Sequence, residues 1–204
     1  MSYAVPKYGS YWPVLAEQWS RMELLPPDPK DPRPSDKTVM KTAEGLLKHK
    51  ERYQRIEELT GVPWYMIAAL HWRESNASFT KQLAQGWPLS SKSKWVPYTG
   101  PYATWEESAV AALKAEGKRY DRIVDWRLEK ILYYSEKYNG WGYYQYHNKM
   151  PSPYIWGATN IQTKGKYVAD GKFSSTTWDT QIGVAALIWA LAKLDPTIKL
   201  VRET

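Results

Sequence analysis

The chain has no cysteine, two phenylalanines and three histidines among its 204 residues. The missing cysteine rules out disulfides, thiolate metal sites and a thiol nucleophile. His49, His71 and His147 do not pair at metal-ligand spacing, so neither a metal nor a cofactor is expected. No apolar run approaches the roughly 18 residues that would cross a bilayer, which excludes stable membrane insertion. The opening "MSYAVPKYGSYWPVLAEQ" lacks a basic segment followed by an apolar one, so no secretory signal is expected. Ser75 sits in no nucleophile elbow, and "GWGYY" is not a phosphate loop.

Hydrophobic residues make up 43% of the chain, too many for a disordered polymer. The length suits one domain with an appended arm. A net charge of +7 and a pI near 9.3 favour a polyanionic partner. Nucleic acid is not that partner, because "KHKER" at 48–52 and "KAEGKR" at 114–119 interleave acids with their bases. The two phenylalanines stand against twelve tryptophans and sixteen tyrosines. A core alone has no reason to prefer polar-tipped rings so strongly. Flat rings with hydrogen-bonding edges suit amphipathic ligands such as sugars.

Along the chain, "YWPVLAEQWSRM" at 11–22 predicts an amphipathic helix on the stripe Trp12, Leu15, Trp19 and Met22. "PPDPKDPRPS" at 26–35 predicts an extended connector. Residues 1–35 thus form an arm docked on a main domain over 36–204. Ser35 is an N-cap for one long helix running to Leu59, with Met40, Ala43, Leu47, Lys50, Tyr53 or Gln54 and Glu57 along one face and Val39, Leu46, Tyr53 and Ile56 on a neighbouring stripe. Gly61 ends it, and Pro63 opens the next helix, about 63–74. "TWEE" at 104–107 is a capping box, Thr104 with Glu107, for a helix to about Arg119. Asp125 caps a helix that Asn139-Gly140 closes. Residues 141–176, rich in Gly, Pro, Asn and Tyr, read as loops with at most a small β-hairpin. A last apolar helix covers about 178–194 and stops at Asp195-Pro196. The expected fold class is mainly α (α+β), a helical domain with a loop-rich segment.

The stretch "TGVPWYMIAALHWRESNASF", 60–79, is apolar nearly all round and then delivers one acid, Glu74, at its C-terminal end. On the helical ladder Glu74 lies over Leu70 and Met66, with His71 and Ile67 on the adjacent row. Desolvation over such a stripe favours a neutral carboxyl, which is what a general acid needs. Arg73 and His71 would oppose that if turned toward it. An exposed glutamate fraying from the helix end is the commoner situation for an arbitrary helix.

This stretch resembles the lysozyme-like glycoside hydrolases of phage endolysins, in which a helix ends at a catalytic Glu in an "RES"-type motif. "YATWEES" at 102–108, "YNGWGY" at 138–143, "SPYIW" at 152–156 and "TKGKYVADGKF" at 163–173 look like the same group. The likeness runs in consistent order over nearly the whole chain. It implies a lysozyme-like fold and cleavage of bacterial peptidoglycan glycan strands, with Glu74 as proton donor. "YNG" also resembles the element bordering the sugar cleft of lytic transglycosylases and goose-type lysozymes. The substrate-binding candidates are therefore His71, Tyr138, Asn139, Trp141, Tyr154, Trp156 and Asn160.

One position departs from the pattern. Relatives often carry an Asp in a "GDPL" loop after the catalytic Glu; here the loop reads "GWPL", 86–89, with Trp87 at the acidic position. No acid occurs from Ser75 to Trp105. The second carboxylate of the usual glycosidase pair would have to be a remote one, such as Asp170 or Glu106. Otherwise water is held by groups such as Asn139 or Ser90. Hydrolysis is the preferred outcome. The alternatives are lytic transglycosylation, a chitin- or chitosan-cleaving enzyme, and a non-catalytic wall-binding protein. The expected partner is the peptidoglycan strand. The chain is expected to be a monomer, made in a host cytoplasm and acting on the wall after release.

Overall fold

The computed structural model describes residues 2–92 and 100–204. Among these, nine α-helices and one two-stranded antiparallel hairpin make the chain mainly α, as the sequence indicates. Its contacts divide into two compact units, one of Met1–Glu44 with Arg127–Thr204 and one of Gly45–Trp126. The expected boundary at residue 35 is not where they divide.

In unit one, helix α1 (Tyr8–Ser20) buries Tyr11, Leu15 and Gln18. The expected stripe shares only Leu15 with it. Trp12 and Trp19 are half-buried, and Met22 lies past the helix end. The stripe rotates because Tyr11 is drawn in by other rings, 5.6 Å from Trp141 and 5.3 Å from Tyr144. The prolines keep 22–35 free of helix. Arg33 stacks over Trp178 at 4.0 Å and pairs with Asp31 at 2.7 Å. Helix α1 packs on α6 (Leu128–Asn139), whose N-cap is Arg127 and not the expected Asp125, and Leu24 bridges to Thr159.

Helix α9 (Val184–Leu194) is buried on most sides and packs against α6 and α8 (Pro153–Trp156). The loop-rich segment also holds α7 (Gly142–Tyr146) and the hairpin of β1 (Lys166–Ala169) and β2 (Lys172–Ser174). Tyr167 faces Phe173 across that hairpin, and Asp170 is exposed in its turn.

A buried acid closes this unit. Glu129 is fully buried; its carboxylate accepts the Arg202 Nε–H at 2.5 Å and the Glu203 N–H at 2.9 Å. Arg202 also donates to the Ala16 carbonyl of α1, and Tyr8 donates to the Glu203 carboxylate.

In unit two, the single long helix expected over 36–59 is two. Helix α2 (Asp36–Leu47) crosses the boundary between the units, and α3 (Lys50–Thr60) follows a turn at Lys48-His49. Gly45, a poor helix former, sits just ahead of the break. Of the two expected faces, the stripe Val39, Leu46, Tyr53 and Ile56 is buried throughout, while Met40, Leu47, Lys50 and Glu57 on the other are half-buried. Gly61 ends α3 with φ 71°, the left-handed conformation glycine adopts without a side-chain penalty. Pro63 stands at the N-cap of α4 (Trp64–Ser75). Helix α5 (Trp105–Lys114) is shorter than expected, and a 3-10 turn, Tyr120–Arg122, follows it.

The Glu129 pair generates a stability prediction. Arg202→Gln strands a buried carboxylate and should cost about 3 kcal/mol, read as a lower urea midpoint at unchanged slope. Glu129→Gln added to it should recover part of that loss. A double variant no more stable than Arg202→Gln would show that the carboxylate is not the source of the cost.

Candidate active site

Helix α4 positions the candidate acid. Nine of its residues, from Trp64 to His71 and then Ser75, are buried. Glu74 is half-buried, one residue before the helix end. Asn76 caps that end in the left-handed conformation, φ 53°, and its N–H reaches the carbonyls of His71 and Trp72. Left-handed geometry is tolerated by asparagine better than by most side chains. The negative end of the helix dipole lies here, with Arg73 in the last turn as its complement.

The chain then folds back onto the same helix end. Lys81 bridges to Pro88, and the Gln82 N–H donates to the Trp87 carbonyl at 2.6 Å. Gly86, φ 63°, lies so close that a Cβ on it would stand 2.5 Å from the Glu74 carbonyl oxygen. Gln82 is fully buried, and its side-chain amide donates to the carbonyls of Pro88 and Ser91 at 3.0 and 2.6 Å. The "GWPL" loop is therefore a neighbour of the Glu74 backbone. Trp87 is half-buried and Ser90 exposed.

His71, expected at the sugar, is instead placed in the core with both ring nitrogens engaged. It is fully buried in a ring cluster, 4.4 Å from Trp105 and 4.8 Å from Phe79. Its Nε2 lies 3.1 Å from the Ser78 carbonyl and its Nδ1 3.0 Å from the Tyr53 hydroxyl. A carbonyl can only accept, so Nε2 carries the proton and Nδ1 accepts from Tyr53. Burial pushes the His71 pKa down to about 4, against the weaker opposing pull of the Ser78 hydrogen bond. His71 is thus neutral at neutral pH and brings no positive charge to the helix end. It ties α4 to α3 and to the turn after α4.

The other candidates lie in unit one. Trp141 is buried among Tyr11, Tyr133 and Tyr144. Tyr154 and Trp156, on α8, are buried too, and Tyr138 is 8% exposed. These four rings are core rather than a sugar platform. Asn160 is exposed, but its amide is spent on the arm: Oδ1 accepts the Glu23 N–H at 3.0 Å and Nδ2 donates to the Arg21 carbonyl at 3.0 Å. Asn139 is exposed at the end of α6, where its amide makes a 3.5 Å contact to the Gly140 carbonyl.

Neither nearby acid is idle. Half of the expected capping box forms: the Thr104 hydroxyl accepts the Glu107 N–H at 3.2 Å, while the Glu107 carboxylate accepts the N–H of Ala103, one residue before the cap, at 3.0 Å. Glu106 is outside that box. It pairs with Arg52 at 2.7 Å, and that hydrogen bond holds its carboxyl below the usual range. Among the described residues no group of His, Asp and Glu could hold a metal ion, and no helix is long and apolar enough to cross a membrane.

Sequence reasoning missed Gly86 and Gln82. The "GWPL" motif drew attention to Trp87, while the residue that touches the Glu74 backbone is the glycine before it. Compared with known proteins, the chain matches no family model, no curated protein and no solved structure.

Two measurements follow from this geometry. Gly61 and Gly86 both have positive φ, but a Cβ on Gly61 meets nothing within 4 Å. Gly61→Ala should cost about 1 kcal/mol of backbone strain; Gly86→Ala should cost clearly more in the same urea titration, the excess being the clash with Glu74. Equal losses would mean that the loop moves away freely. For His71, the folded pKa lies below the unfolded value near 6.5. The unfolded chain therefore takes up the proton first, and stability falls as pH drops from about 6.5 to 4. The loss should reach ~3 kcal/mol at the acid end. Subtracting the pH profile of His71→Gln isolates this component, and parallel profiles would refute it.

Proposed function

We propose that this chain cleaves the glycan strand of bacterial peptidoglycan, with Glu74 as the general acid. The observation carrying the reading is the placement of Glu74. It is a half-buried acid on the last turn of a helix buried through most of its length, with its backbone held by the Asn76 cap and the Gly86 loop. The neutral His71 adds no charge that would favour its ionised form. The likeness of the "RES", "TWEES", "YNGWGY" and "GKYVADGKF" elements to lysozyme-like endolysins points to the same chemistry. The net charge of +7 suits approach to an anionic envelope.

In the reaction Glu74 protonates the glycosidic oxygen as the bond to the sugar C1 breaks. In hydrolysis, the preferred outcome, water then adds to that carbon. A second reading is lytic transglycosylation, in which the 6-hydroxyl of the same muramyl sugar adds instead. It needs no second carboxylate. What favours it is that Glu106, the candidate base in the unit holding Glu74, is paired with Arg52. In hydrolysis the water would be held by a group such as Ser90, exposed in the unit that carries Glu74.

Glu74→Gln preserves shape but cannot donate the proton. It should slow the clearing of purified walls at least about 100-fold with little change in melting temperature. Clearing at the unaltered rate would remove Glu74 from catalysis. Binding to walls with no clearing by the unaltered protein would instead support a wall-binding role, and turnover of chitin alone would move the substrate. Mass spectrometry of the released fragments separates the two outcomes by one water. Reducing muramic acid ends mean hydrolysis, and anhydro-muramyl ends mean transglycosylation.

A further inference from the structure

Unit one holds a cavity of about 340 Å³ that the proposed cleavage does not use. Met22, Glu23 and Leu24 line it from the strap after α1, Asp36 and Met40 from α2, and Trp189 from α9. The strap is pinned at its backbone. Glu23 exchanges hydrogen bonds with Asn160, Leu24 bridges to Thr159, Leu25 donates to the Ala158 carbonyl, and the Asp36 N–H donates to the Leu25 carbonyl. The walls therefore exist before any ligand arrives.

The lining has a definite chemistry. In a chain of net charge +7, its charged side chains are both carboxylates. Glu23 is exposed, and Asp36 is half-buried with one oxygen accepting the Lys37 N–H at 2.6 Å. The rest is an indole ring, two thioethers and a leucine. An indole face attracts cations, and the Lys193 ammonium already lies 5.4 Å from the Trp189 ring centroid. Methionine adapts to methylene chains. An anion would meet two like charges here, and a wholly apolar ligand would desolvate two carboxylates without compensation.

We propose that this cavity binds a primary ammonium on an aliphatic stem, the chemistry of a lysine- or ornithine-type side chain in a peptide. The ammonium pairs with Glu23 and Asp36, and the stem lies along Trp189, Met22 and Met40. The site stands apart from the Glu74 chemistry and does not rest on it.

The test titrates the full chain with N-acetyl-lysine methylamide and follows the Trp189 indole N–H by NMR, assigned with Trp189→Phe. The expected result is a saturable shift with a Kd on the order of 1 mM. The Nε-acetylated analogue keeps the stem but loses the charge, and should bind at least tenfold more weakly. Glucosamine has an ammonium but no stem, and should also bind at least tenfold more weakly. Glu23→Gln with Asp36→Asn keeps the shape, and keeps an oxygen for the Lys37 N–H, while removing both charges. It should weaken the lysine derivative at least tenfold. The proposal is overturned by equal affinity for the acetylated analogue or for glucosamine. It is equally overturned by the absence of a saturable shift at roughly ten times the expected Kd. Should the double variant unfold, the ligand comparison on the unaltered protein decides alone.

Discussion

The constraint on which unit two depends is that α4 has almost no solvated face. A helix buried from Trp64 to His71 must satisfy its polar groups internally, and its side chains leave the core only at the last turn. This accounts for the concentration of special geometry there. Asn76 and Ala77 both take positive φ, Ser78 turns its carbonyl onto His71, and Gly86 closes over the Glu74 carbonyl. An acid in such a place has a fixed backbone, whereas the same residue on a fraying helix would not. A turn, a cap and a glycine together fix the backbone from which the Glu74 side chain leaves the core.

The high count of tryptophan and tyrosine takes on a different meaning in three dimensions. Rings that composition would assign to a sugar-binding surface are largely packed against one another. Tyr53, His71, Phe79 and Trp105 form one cluster, and Tyr11, Tyr133, Trp141 and Tyr144 another, mostly edge-on. Edge-to-face contact uses the ring quadrupole and leaves a hydroxyl or N–H free to reach a partner. Tyr53 does this with His71, and Tyr133 with the Pro6 carbonyl. These two tyrosine hydroxyls thus find partners within the fold, while the Trp105 indole N–H is buried without a hydrogen-bond partner among the described residues.

Periodicity made most helices legible. Val39, Leu46, Tyr53 and Ile56 are buried as their spacing says, and Gly61, Thr104 with Glu107, and Asn139-Gly140 end or begin helices where local backbone chemistry requires. The turn at Lys48-His49 was not legible, since no proline marks it and the apolar stripe runs straight through. Nor was the pairing of distant segments. The arm and residues 127–204 share one unit because Arg202, Asn160 and Tyr133 reach across more than a hundred positions. Those bonds leave no periodic trace. At the site, Glu74 stood out because a charge ends an apolar run. His71 looked like a ligand because a pattern shows which residues are near an acid, but not that both its nitrogens are already engaged.

The Glu129–Arg202 pair also sets an order of assembly. Unit two is one uninterrupted stretch, Gly45–Trp126, and all of its residues exist before Arg127 is added during synthesis. Unit one is split around it and is closed by the Arg202 guanidinium. Until Arg202 is made, Glu129 has no counter-charge, and the arm lacks the donor that reaches Ala16. The helix carrying the candidate acid therefore has its whole unit available before Arg127 is added, while the unit that flanks it in sequence waits for Arg202.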